Sequence, residues 1–74
     1  MYIVITVKLN ENVFDIKVDN QQTIYNAINI LRENGKYIGD TADFFRSELL
    51  NKAVSAYFSF EEAGINSGDI LTQI

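Results

Sequence analysis

The chain has no cysteine and no histidine. The first absence removes disulfides and thiolate chemistry as ways to hold a fold or run a reaction. The second removes the commonest general base and the commonest metal ligand together. Basic residues are scarce as well, with six Lys+Arg against ten Asp+Glu, for a formal charge of −4. Such a chain repels a phosphate backbone on average, and no local basic cluster reverses the sign, so nucleic acid is not an expected partner. No apolar run approaches the ~20 residues needed to cross a bilayer. The opening MYIVITVKLN also lacks the charged start, long apolar stretch and small-residue cleavage site of a signal peptide. The expected location is the cytoplasm, with protein partners as the route to the inner face of a membrane.

What is present is enough for one small folded domain spanning residues 1–74. A hydrophobic fraction of 47% with 22% charged residues is that of a folded chain rather than a disordered one. At 74 residues a single core is only just sufficient.

The first residues alternate, with Ile3, Ile5, Val7 and Leu9 on one face and Val4, Thr6 and Lys8 on the other. That period of two predicts a half-buried strand. Asn10, Glu11 and Asn12 suit a tight turn, because asparagine tolerates left-handed backbone. VFDIKV then alternates again, with Phe14, Ile16 and Val18 inward, so the two runs predict an antiparallel hairpin. In TIYNAINILRENG, Ile24, Ala27, Ile28 and Leu31 recur at helical spacing. Thr23 is the expected N-cap, Arg32 complements the dipole of the last turn, and Gly35 fits the position just past the end.

The middle of the chain is ambiguous. TADFFRSELLNKAVSAYFSF has neither glycine nor proline, and Phe45, Leu49, Ala53, Ala56 and Phe60 follow a helical rhythm. The same stretch also reads as a strand around FFRSE, a turn near Leu50 to Lys52 and a strand around VSAYF. Beyond it, SFEEAGI predicts a short helical turn capped by Ser59 and stopped by Gly64. NSGD is turn chemistry, and ILTQI a closing strand.

A strand hairpin, a capped helix, an irregular middle, a late helical turn and a last strand form the order of the ubiquitin fold, which this chain resembles over nearly its whole length. TIYNAINIL stands where that superfamily has its helix, and SFEEAGINSGDIL where it has its late turn and final strand. Within the superfamily, MYIVITVKL, VFDIKV and AGINSGDIL are similar to the YukD/EsaB proteins of bacterial type VII (WXG100) secretion systems. The resemblance implies an α+β, ubiquitin-like β-grasp, a mixed sheet curved around one helix with the first and last strands parallel at its centre. It favours the strand pair over the helix for residues 43–58. Gln73 departs from the pattern, standing where the family places an inward apolar residue, so the register of the last strand is open.

Ubiquitin-like modifiers and sulfur carriers thread a flexible Gly-Gly tail into an activating enzyme, which requires an unhindered chain end. Here Ile74 follows directly on strand residues, so conjugation through the C-terminus is not expected. Nor is catalysis. Glu61 and Glu62 lie where carboxylates stabilise a helix start, Asp40 and Asp43 read as solvated loop acids, and Gly64 to Gly68 has no lysine or following helix to make a phosphate cradle. No cofactor or metal is expected. What remains is binding through a surface. The candidates are Val4, Thr6, Phe44 or Phe45, Ile70, Thr72 and Ile74 on the open face of the sheet, with Tyr2, Tyr25, Tyr37 and Tyr57 competing for limited core space. The resemblance implies a non-enzymatic accessory or regulatory component of a type VII secretion system, contacting its machinery. The alternatives are a ubiquitin-like modifier or sulfur carrier, and an adaptor domain unrelated to secretion.

Overall fold

The computed structural model describes residues 1–74. Strands β1 (Tyr2–Leu9) and β2 (Asn12–Asp19) form the expected hairpin, followed by helix α1 (Ile24–Glu33). Strands β3 (Phe44–Ser47) and β4 (Lys52–Ser55), the short helix α2 (Phe60–Ala63) and strand β5 (Ile70–Gln73) complete the chain. The five strands lie in the order β2-β1-β5-β3-β4. β1 and β5 run parallel near the centre, and the other pairs are antiparallel. This is a β-grasp-like α+β fold. No helix is long and apolar enough to cross a membrane.

Alternation sets the core. Ile3, Ile5, Val7 and Leu9 of β1 are buried with Leu71 of β5, Phe45 of β3 and Val54 of β4. Ile24, Ala27 and Ile28 of α1 close over them, with Phe60 and Ile65 from the α2 region. Each large side chain so buried contributes roughly 1.5–3 kcal/mol. The hairpin turns at Asn10, whose φ of 56° is a conformation asparagine tolerates.

The caps fall where the sequence places them. Thr23 Oγ1 accepts the Asn26 N–H at 3.1 Å. At the other end Gly35, with φ of 71°, lets its own N–H and that of Lys36 reach back to the carbonyls of Arg32 and Leu31. Ser59 and Glu62 form a reciprocal capping box on α2, which stops at left-handed Gly64.

The middle is a strand pair, but the second strand is earlier and shorter than VSAYF suggests. The turn occupies residues 48–51 and closes on Asn51 at φ of 55°, so β4 begins at Lys52 and stops at Ser55. It stops because the backbone has another task. The carbonyls of Ala56 and Phe58 accept the N–H groups of Tyr25 and Ile24, two donors that the first turn of α1 cannot satisfy internally. Tyr57 and Phe58 therefore sit in a loop clamped to the start of the helix.

The register of β5 is also fixed. Leu71 points into the core and Gln73 follows on the same side, at the rim. The Gln73 amide oxygen accepts the Tyr37 hydroxyl at 3.2 Å, so the polar residue in this apolar position is hydrogen-bonded. Tyr37 itself is buried, and its hydroxyl lies 3.2 Å from the Asp40 carbonyl. It is a core residue, not one of the surface aromatics.

Candidate protein-interaction face

The strand register sorts the candidate residues into rows across the outer face of the sheet. Thr6 of β1 is paired with Ile70 of β5. One row on, Lys8 is paired with Thr72, and Thr72 with Arg46 of β3. Beyond that row, the Ile74 N–H donates to the Phe44 carbonyl at 3.3 Å, setting the two residues side by side. Val4 lies on the same face, two residues before Thr6.

Exposure separates the members of this set. Val4 and Phe44 are each 53% exposed and Ile74 68%, while Thr6, Ile70 and Thr72 are half-buried among them. Phe45 is not part of the surface. Its pairing to Val54 and Gln73 turns it inward, where it is fully buried, so only Phe44 of the adjacent pair is available to a partner. The Thr6 hydroxyl donates to Asp15 Oδ1 at 2.6 Å, which ties β1 to β2 on this face.

The register brings further residues to this face. Tyr2 is 66% exposed and lies under the Lys17 ammonium, 5.3 Å from the ring centroid. Lys8 and Arg46 flank Thr72. Nothing local to either residue signals this, since their proximity depends on β5 coming between β1 and β3.

Val13 of β2, 62% exposed, is paired with Lys8 on this face, whereas the exposed Ile38, Leu49 and Phe58 lie in loops. Tyr57 stacks on Tyr25 with ring centroids 5.3 Å apart, and its hydroxyl donates to Asp43 Oδ1 at 2.6 Å. That bond to a carboxylate holds the Tyr57 hydroxyl above its ordinary pKa, because the ionised phenolate would lose it. A cavity of about 260 Å³ opens between β2 and α1, lined by Ile16, Val18, Ala27, Ile30 and Leu31 with Lys17 and Gln22 at its edge.

The acids have structural partners. Glu62 is held below the ordinary carboxylate range by the Ser59 N–H and hydroxyl. Asp19 is lowered by the Gln21 N–H and, more weakly, by the N-terminal ammonium at 3.6 Å. Asp69 is buried and accepts from Ser47 and from the N–H groups of Leu49 and Ile70. Its role was missed in the sequence, where NSGD reads only as a turn. No group of three or more acidic residues is arranged to hold a metal ion.

No protein-family model matches the chain, and no curated protein is significantly similar to it.

Proposed function

We propose that this protein is a non-enzymatic, ubiquitin-like binding module that engages other proteins non-covalently through the outer face of its sheet. The observation that carries the reading is the grouping of Val4, Ile70, Phe44 and Ile74 on that face, with three of the four well exposed. A chain this small has little apolar material to spare from its core, and apolar side chains left exposed on one sheet face, in two groups either side of the Lys8–Thr72–Arg46 row, favour that face as the interaction surface. Phe44 and Ile74 are the anchors, and the half-buried threonines supply the polar surround.

The partner system is an inference from resemblance. MYIVITVKL, VFDIKV and AGINSGDIL resemble the YukD/EsaB proteins, which favours an accessory or regulatory role in type VII secretion, exerted in the cytoplasm on the machinery's inner components.

A pull-down from the producing cells tests both parts, with the tag at the N-terminus, Phe44→Asp as control, and parallel native and denaturing washes. The expected result is recovery of secretion-machinery proteins under native washing, loss on denaturation and loss in Phe44→Asp. Unrelated partners that still depend on Phe44 would keep the binding face and overturn the secretion role. An adduct surviving denaturation would instead favour a modifier.

A further inference from the structure

The outer face has a charge pattern that specifies its partner more narrowly. Of the six basic side chains, Lys8, Lys17 and Arg46 stand on it; of the ten acidic ones, Asp15 and Asp19 do, with Glu48 at its rim, where its N–H donates to the Ile70 carbonyl. The face is thus neutral, and the chain's whole negative excess lies elsewhere.

Its cations are not placed alike. Lys17 is spent on Tyr2, between Asp15 and Asp19. Lys8 and Arg46 stand either side of Thr72, two strand spacings or about 10 Å apart, within reach of one group seated over the threonine. Neither is ion-paired, since the only salt bridge joins the N-terminus to Asp19; the Arg46 guanidinium also donates to Asn51 Oδ1. The Thr72 hydroxyl between them is a further donor. On one side of this row lies Ile70, and on the other Ile74 beside Phe44.

From this arrangement we propose that the Lys8–Thr72–Arg46 row receives a carboxylate side chain, and that the partner is an acidic, apolar protein segment. Its Asp or Glu would sit over Thr72, while aliphatic or aromatic neighbours would cover Ile70 and the Phe44–Ile74 pair. Charge complementarity at the row fixes the register of docking and rejects segments that place Lys or Arg there. This rests on the reading of the face as the binding surface, and adds the chemistry of what binds.

The test is selection of displayed random 12-residue peptides on the full chain, followed by mapping of the winners on the ¹⁵N-labelled protein. Enriched peptides are expected to combine Asp or Glu with Leu, Ile or Phe, and to shift the signals of Lys8, Phe44, Arg46, Ile70, Thr72 and Ile74. Lys8→Glu with Arg46→Glu should weaken them about tenfold or more, the scale of a lost charge-assisted hydrogen bond. Lys8→Arg with Arg46→Lys should retain them, and an unchanged ¹⁵N spectrum away from the row shows that both variants fold. Peptides without acidic residues that map to the face and ignore the charge reversal would overturn this inference and leave the face intact. No enrichment, or signals shifting elsewhere, would overturn both.

Discussion

The Ser47 hydroxyl donates to Asp69 Oδ2 at 2.5 Å, with both side chains cut off from solvent. The pair joins the end of β3 to the start of β5, and it organises the turn between β3 and β4 as well. Asp69 Oδ1 accepts the Leu49 N–H, and Ser47 Oγ accepts that of Leu50. A buried carboxylate thus does the work of backbone partners that the turn lacks. Replacing Asp69 by Ala strands the Ser47 hydroxyl and the Leu49 N–H and should cost about 2–3 kcal/mol, within the range for buried groups left unpaired. Asp69→Asn should cost less, because its amide oxygen still accepts. Urea denaturation of both variants checks the order.

The adjacent phenylalanines should respond oppositely. Phe45→Ala should cost about 3–5 kcal/mol, against a total of roughly 4–11 kcal/mol for a chain of this length. Phe44→Ala should change stability by less than about 1 kcal/mol yet weaken partner binding. Thermal melts of the two variants, beside a binding assay for Phe44→Ala, separate the roles.

Acid should weaken the α2 cap. Glu62 has a folded pKa below its ordinary 4.5, so its contribution is present above that value and is lost as the pH falls through the folded pKa. Glu62→Gln keeps an acceptor for the Ser59 N–H but cannot titrate. Urea midpoints measured from neutral pH downward should therefore fall less steeply for Glu62→Gln than for the wild type. Equal slopes would show that the capping box contributes nothing to the acid response.

Tyr57 should titrate late. Its folded pKa is raised above the ordinary 10.0, first by the hydrogen bond to Asp43, so the bond's contribution is present below that value and lost as the pH rises through the folded pKa. In Asp43→Asn the Tyr57 ring should ionise at lower pH than in the wild type, as followed by NMR of its ring carbons.

The elements with local rules were legible in the sequence. β1 and β2 show in strict alternation, and both helices in their cap residues. The middle was not, because the helical spacing of Phe45, Leu49, Ala53, Ala56 and Phe60 is coincidental. Leu49 and Ala53 are exposed in the turn and on β4, so the five never share a core face. What settles the strand pair is long-range, namely the Asp69 contacts and the pairing of β3 with β5. The candidate face was legible for Val4, Ile70 and Ile74 once Leu71 is taken as inward. Phe44 could not be told from Phe45, since the choice depends on register against β5, where Phe45 pairs with Gln73, 28 residues on. The burial of Tyr37 rests likewise on a distant hydrogen bond, to Gln73.

The most direct test of the binding face is photo-crosslinking in the producing cells, with p-benzoylphenylalanine placed at Phe44 or, separately, at Ile38. Ile38 is the more exposed of the two at 93%, but it lies in the loop between α1 and β3 rather than on a strand of the sheet. If the outer face is the docking surface, Phe44 yields discrete heavier adducts and Ile38 none. Adducts from Ile38 alone, or from neither position, would contradict it.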